Sequence, residues 1–175
     1  MEIYSSSGNQ VLWACAQGAT TTVPNGSFES GPSTQDVFLK LFAGDTSITD
    51  WTVGGEGIDY KFTYWQASDG NRSIDLNHLN TGSIETTLTT IAGGLYTIRF
   101  DMAGNPDGAP TTKTMRVTAN GGSPRDYSFD TSGTSRSSMG WTTQSYSFIA
   151  SSSSTVLKFT STIQGPYGPA IDNVR

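Results

Sequence analysis

The chain has 175 residues, 34% of them hydrophobic and only 14% charged, with a net charge of −5 and a pI near 4.6. That acidic balance excludes the basic footprint a nucleic-acid binder needs. No apolar run approaches the length of a membrane-spanning helix, and the single cysteine, Cys15, excludes an intrachain disulfide.

In chain order, residues 1–22 differ from the rest. A polar start is followed by a short apolar run at 11–16 and a linker-like stretch at 18–22. The segment suits a disordered leader, an extra edge strand, or a strand donated to a neighbouring copy, which would make 11–16 a self-association element. Leu12-Trp13-Ala14-Cys15 loosely resembles a lipobox, but the basic start and long apolar stretch of a lipoprotein signal are missing.

From Val23 onward one domain is expected, 23–175. Residues 36–42 (DVFLKLF) predict at most a turn of helix. Elsewhere the hydrophobic period is two: Tyr96, Ile98, Phe100 and Met102 alternate with Thr97, Arg99 and Asp101, and Met115, Val117 and Ala119 alternate with Thr114, Arg116 and Thr118. Such alternation marks half-buried strands. Strands are predicted near 23–29, 48–53, 57–62, 73–77, 83–91, 95–103, 112–120, 125–130, 143–150, 155–162 and 170–174. Turn sequences such as Asp69-Gly70-Asn71, Gly93-Gly94 and Asn120-Gly121-Gly122 separate several of them. Short strands at this spacing indicate an all-β sandwich or barrel.

Aromatic faces stack on sugar C–H surfaces while polar groups fix hydroxyls. Tyr60, Tyr64, Trp65, Trp141 and Tyr167 are the aromatic candidates, with Trp65 and Tyr167 preferred for their place beside turns; Trp51 fits the core. The loop 101–110 offers Asn105 and Asp107, either to a ligand or to its own turn. Arg72 and Arg136 suit a carboxylate, by a bidentate fork, or a local salt bridge. An enzyme is disfavoured. His78 is the only histidine, no nucleophile elbow accompanies it, and Asp59, Asp69 and Asp75 show no spacing that defines a carboxylate pair.

Several motifs together resemble the bacterial choice-of-anchor C family and, more distantly, plant cell-wall proteins of domain of unknown function 642. They are VPNGSFE (23–29), ITDW (48–51), IDY (58–60), YWQASDG (64–70), SIDL (73–76), FDMAGNPDG (100–108), Ser135-Arg136, MGW (139–141) and GPAIDNV (168–174). The resemblance implies a galactose-binding-like jelly-roll β-sandwich, exported to the cell surface or matrix, that binds polysaccharide or another wall component without catalysis. By analogy with jelly-roll carbohydrate-binding modules it also implies a structural Ca²⁺ held by Glu29 and Asp172, with a carbonyl near Ser27; two carboxylates and backbone oxygens suit that ion. Two other functions stay open: a matrix or filament subunit assembling through residues 11–16, and a small hydrolase using His78 or Asp75.

Overall fold

A computed structural model describes residues 20–175, so the expectations for 1–19, including Cys15 and the apolar run 11–16, lie outside the described residues. Eleven strands follow in order: β1 (Phe38–Leu41), β2 (Thr52–Gly55), β3 (Ile58–Lys61), β4 (Ser73–Asp75), β5 (Gly82–Thr89), β6 (Leu95–Gly104), β7 (Thr112–Ala119), β8 (Arg125–Asp130), β9 (Thr142–Ile149), β10 (Ser154–Ser161) and β11 (Pro169–Asp172). They form a six-stranded sheet, β1-β3-β4-β11-β6-β9, and a five-stranded sheet, β2-β5-β10-β7-β8, with every pairing antiparallel. This is the expected jelly-roll sandwich. The alternating apolar residues fill its middle: Ile58, Tyr60, Ile74, Phe100 and Ile171 from the first sheet meet Ile84, Leu88, Met115, Val117 and Phe159 from the second.

Two sequence expectations are corrected. Residues 36–42 hold a strand, not a turn of helix. Leu39 and Leu41 pair with Tyr60 and Ile58 of β3 and turn to the core, while Phe38 and Lys40 turn outward. The long-range ladder overrides local propensity. Residues 23–29 form turns rather than a strand, because Asn25 and Phe28 take positive φ, 47° and 59°. The Asn25 amide fixes that path, donating to the carbonyls of Ser30 and Thr49 and accepting from Ser30 N–H. Its two ends still meet the rest of the fold: Val174 N–H donates to Gly26 O at 2.8 Å, and the Trp51 indole N–H donates to the carbonyls of Pro24 and Asn25.

The six-stranded sheet departs from simple alternation. β3, β4, β11 and the second half of β6 are buried on both faces. Asp59, Lys61, Ser73, Asp75, Asp101 and Asp172 therefore point away from the core yet carry little solvent exposure. Loops cover them, and buried polar groups of this kind must find partners. Those partners build the site.

Candidate functional site

The cross-strand register sets the floor of a groove on that outer face. Lys40 of β1 stands opposite Asp59 of β3, and Asp59 opposite Asp75 of β4; in the next row Phe38, Lys61 and Ser73 line up. Residues at i and i+2 share a face, so the short strand IDYK presents Asp59 and Lys61 together. Lys61, 2% exposed, donates from Nζ to Asp59 Oδ2 at 2.9 Å, and the other Asp59 oxygen pairs with His78 Nδ1 at 2.9 Å. The ammonium lies 4.0 Å from the Phe38 ring centroid, 4.4 Å from Tyr64 and 5.0 Å from Trp65. An aromatic cage and a carboxylate thus compensate a charge that burial would otherwise penalise.

Above this floor opens a concavity of about 210 Å³, walled by Phe38, Tyr64 and Tyr167 and floored by Asp59, Lys61, His78 and Asn105, with Lys40 and Leu79 at its lip. Tyr64 donates its hydroxyl to Asp107 Oδ2 at 2.6 Å, and Arg136 Nε donates to Asp107 Oδ1 at 2.8 Å while its guanidinium stacks 4.1 Å over the Tyr64 ring. Burial and then the Asp107 carboxylate push the Tyr64 hydroxyl up to about 12, so it stays a donor. Burial works against ionisation of Asp107, but hydrogen bonds from Arg136 and Tyr64 overcome it and hold the carboxyl below its ordinary range. Lys113, fully buried, donates from Nζ to the carbonyls of Gly108 and Tyr167 and so ties down the loop carrying the second aromatic wall. Burial lowers its pKa, with Asp75 and Asp107 acting against that shift.

Of the residues singled out from sequence, Tyr64, Asn105 and Tyr167 line the groove, and Asp107 and Arg136 brace its Tyr64 wall. Asn105 serves the structure as well: its amide donates to Asp75 Oδ2 at 2.8 Å and its oxygen accepts from Asp107 N–H. Trp65, expected at the ligand, is corrected to the core; it is 5% exposed and donates its indole N–H to Ser73 Oγ at 2.7 Å. Its face backs Lys61 instead of meeting solvent. Trp141 packs on the core edge and donates to Gln66 O, while Gln66 N–H donates to Arg136 O, so this tryptophan fastens two loops together. Phe38, Lys40, Asp59, Lys61 and His78 were not read as a ligand site. The available signal was the pair of charges at i and i+2 inside an otherwise apolar strand.

Glu29 and Asp172 converge on a second feature. Glu29 Oε1 accepts from the amides of Asn71 and Arg72 at 2.8 Å, and Asp172 Oδ2 accepts from those of Ser68 and Asp69 at 2.7 and 2.9 Å. The two carboxylates hold one loop, 68–72, from its two ends. Ser27 is half-buried in the same turn as Glu29. Among the described residues no group of three or more His, Cys, Asp or Glu side chains stands together as a metal cluster. With Oε1 and Oδ2 committed to amides, the residues fit a calcium ion only in part, through Glu29 Oε2 and Asp172 Oδ1, the latter also accepting from Asn173 N–H. Gly70, at the centre of the loop, has φ +64°, and a methyl there would sit 2.5 Å from Glu29 Oε1. Gly70→Ala is therefore expected to cost roughly 1–3 kcal/mol by the left-handed conformation and the displaced carboxylate. A thermal melt unchanged from the parent would show that the loop re-seats freely.

Comparison with known proteins follows the fold. The model of the family described as "Protein of unknown function (DUF642)" matches residues 21–175. Halomucin of Haloquadratum walsbyi (strain DSM 16790 / HBSQ001) is 30% identical over 164 residues, 87% of this chain, and the chain spans 2% of that protein's length. TmCBM61, solved in complex with beta-1,4-galactotriose, superposes with a TM-score of 0.54 at 15% identity, over 89% of this chain and 97% of that one. A family 35 carbohydrate binding module from Clostridium thermocellum gives 0.52 at 18% identity, over 78% and 95%. The enzymatically active domain of tailspike protein 4 from bacteriophage CBA120 also gives 0.52, at 12% identity, over 88% of this chain and 21% of that one. At such identities the likeness is one of fold.

Proposed function

We propose, from the premise that the chain belongs to the DUF642 family, that this domain is a non-catalytic module binding carbohydrate or another wall component outside the cell. The observation that carries the reading is the groove itself: aromatic walls at Phe38, Tyr64 and Tyr167 over a floor of buried, oriented polar groups, the combination that holds a sugar ring by its apolar face and its hydroxyls. The fold's likeness to modules that carry carbohydrate-binding names supports it. A binding rather than catalytic role is supported by Asp59, whose two oxygens are engaged by Lys61 and His78 in a fixed triad. The resemblance of several motifs to those of choice-of-anchor C proteins and the acidic, lightly charged composition support a surface or matrix setting.

Tyr167→Ala is expected to weaken glycan binding about tenfold, the equivalent of ~1.4 kcal/mol, by removing one stacking wall. Gly108→Ala gives an independent check, since its methyl would lie 2.3 Å from the Tyr167 ring and push the wall aside without deleting it. Glycan-array screening followed by calorimetry on the parent and both variants reads the effect; equal affinity in all three would place the ligand elsewhere.

A structural calcium ion belongs to the same proposal, at Glu29 and Asp172 with a carbonyl near Ser27, and serves the loop rather than the groove. Calcium added to chelator-treated protein should then raise the melting temperature, because an ion bound only by the folded state stabilises it. No rise at millimolar calcium removes the ion from the reading.

A further inference from the structure

The charges around the groove do not match those of the chain. Across the sequence acids outnumber bases, 15 to 10, yet two of the four lysines, Lys40 and Lys61, line this concavity, and a third, Lys113, sits buried behind it, donating to the Tyr167 carbonyl. Arg136 adds a fourth cation on the Tyr64 wall. The facing acids are Asp59, Asp75 and Asp107. Asp59 is shared between Lys61 and His78, and Asp107 between Arg136 and Tyr64. Burial pushes the Asp75 carboxyl up to about 7, which leaves it partly neutral at physiological pH. Four cations at or behind the groove thus stand against at most three negative charges, in a molecule that is otherwise acidic.

Two of the cations are presented rather than consumed. The Arg136 side chain is 52% exposed; its Nε donates to Asp107 and its guanidinium stacks on Tyr64, so about half of a positioned guanidinium stays open to solvent. Lys40 stands exposed at the lip, on the row next to Asp59. A planar guanidinium already held by stacking matches a planar carboxylate better than a hydroxyl, and a mobile ammonium beside it adds attraction without demanding geometry.

Resting on the carbohydrate reading above, we infer that the groove selects sugar residues bearing a carboxylate, of the uronic acid type, with Arg136 and Lys40 as the groups that recognise the carboxylate and Tyr64 and Tyr167 as the ring-binding walls.

Calorimetry on the full chain would compare three probes: galacturonate oligosaccharides, neutral galactose oligosaccharides of equal length, and sulfated galactose oligosaccharides. The expected result is galacturonate binding about tenfold or more tighter than the neutral probe, weakening as salt rises, since partly exposed charges are screened. Arg136→Gln and Lys40→Gln should each reduce that preference, with melting temperatures confirming that both variants fold. Equal affinity for neutral and carboxylate probes would overturn the inference and leave carbohydrate binding intact. Preference for the sulfated probe would overturn the carboxylate assignment. Failure of all three probes would remove the carbohydrate reading and this inference with it.

Discussion

Lys61→Ala is expected to destabilise the domain by about 3–5 kcal/mol, the cost of removing one partner from a buried ion pair. The ammonium is 2% exposed and is compensated on one side by Asp59 and on the other by the rings of Phe38, Tyr64 and Trp65. Its loss leaves Asp59 buried with His78 as the remaining partner, and leaves a void between three aromatic side chains. For a domain of this size the change corresponds to a fall in melting temperature on the order of 10 °C. The double variant Asp59→Asn/Lys61→Met removes both charges and keeps the volume filled, so it should recover most of the loss. A single variant costing less than about 1 kcal/mol, the range of exposed pairs, would show that water reaches the pair.

Stability is also expected to fall as pH rises from about 4 to about 7. In the calcium-free protein burial pushes Asp75 and Asp172 from 3.8 up to about 7, in each case against hydrogen bonds that favour the carboxylate. A carboxyl whose folded pKa lies above its unfolded value binds its proton more tightly when folded. Between those two values the folded state holds the extra proton, so raising the pH favours unfolding until both states are ionised. The shift amounts to up to about 4 kcal/mol for each group. Asp101 and Asp107 act in the opposite sense. Their folded pKa values are depressed, so their contribution is present above the ordinary carboxylate range and is lost as pH falls through it. Greatest stability is therefore expected near pH 4–5, with a decline toward pH 7 and little change above it.

The surroundings of Asp75 set burial against hydrogen bonding. Asn77 is fully buried and its amide nitrogen already donates to the carbonyls of Ile163 and Gly165, so its orientation is fixed. Its Oδ1 has no hydrogen-bond partner among the described residues. A methyl placed on Gly168 would lie 2.4 Å from Asp75 Oδ1 and 2.6 Å from that same Asn77 oxygen, so the two atoms flank one point. Asp75 Oδ1 itself accepts from the Asn77 and Gly168 N–H groups, bonds that favour the carboxylate, so the upward shift rests on burial, and the unpaired Asn77 oxygen supplies no donor to support the charge. Asp75→Asn, which is permanently neutral, should flatten the decline between pH 4 and 7. Thermal melts across that range decide the matter, and a parent protein more stable at pH 8 than at pH 5 would refute the argument.

The groove was legible in pieces. Tyr64 and Tyr167 stood out as aromatics beside turns, Arg136 as a group suited to a carboxylate, and Asp107 as a polar group of the loop 101–110. What escaped was their common purpose, because Arg136 reaches Asp107 across 29 positions of sequence and Tyr64 reaches it across 43. Trp65 carried the same sequence signal as Tyr64 one position earlier, yet the two point to opposite environments. The two side chains diverge within the bend that follows β3, and only the packing against Ser73 and Lys61 reveals which one is inside.

By itself the sequence determined an all-β fold of sandwich or barrel type. Period-two alternation in segments such as β6 and β7, cut by glycine and asparagine turns, admits one face in a core and one outside, and two such faces must meet. Tertiary structure alone decided that 36–42 would extend as β1 on the edge beside β3, that 23–29 would turn instead of pairing, and that Glu29 and Asp172 would grip the backbone amides of one loop. It alone decided, too, that the outer face of the six-stranded sheet would be roofed by loops. Alternation tells which way a side chain points, but whether water waits there depends on segments far away in the chain. That roof turned Asp59 and Lys61 from surface charges into the floor of a groove.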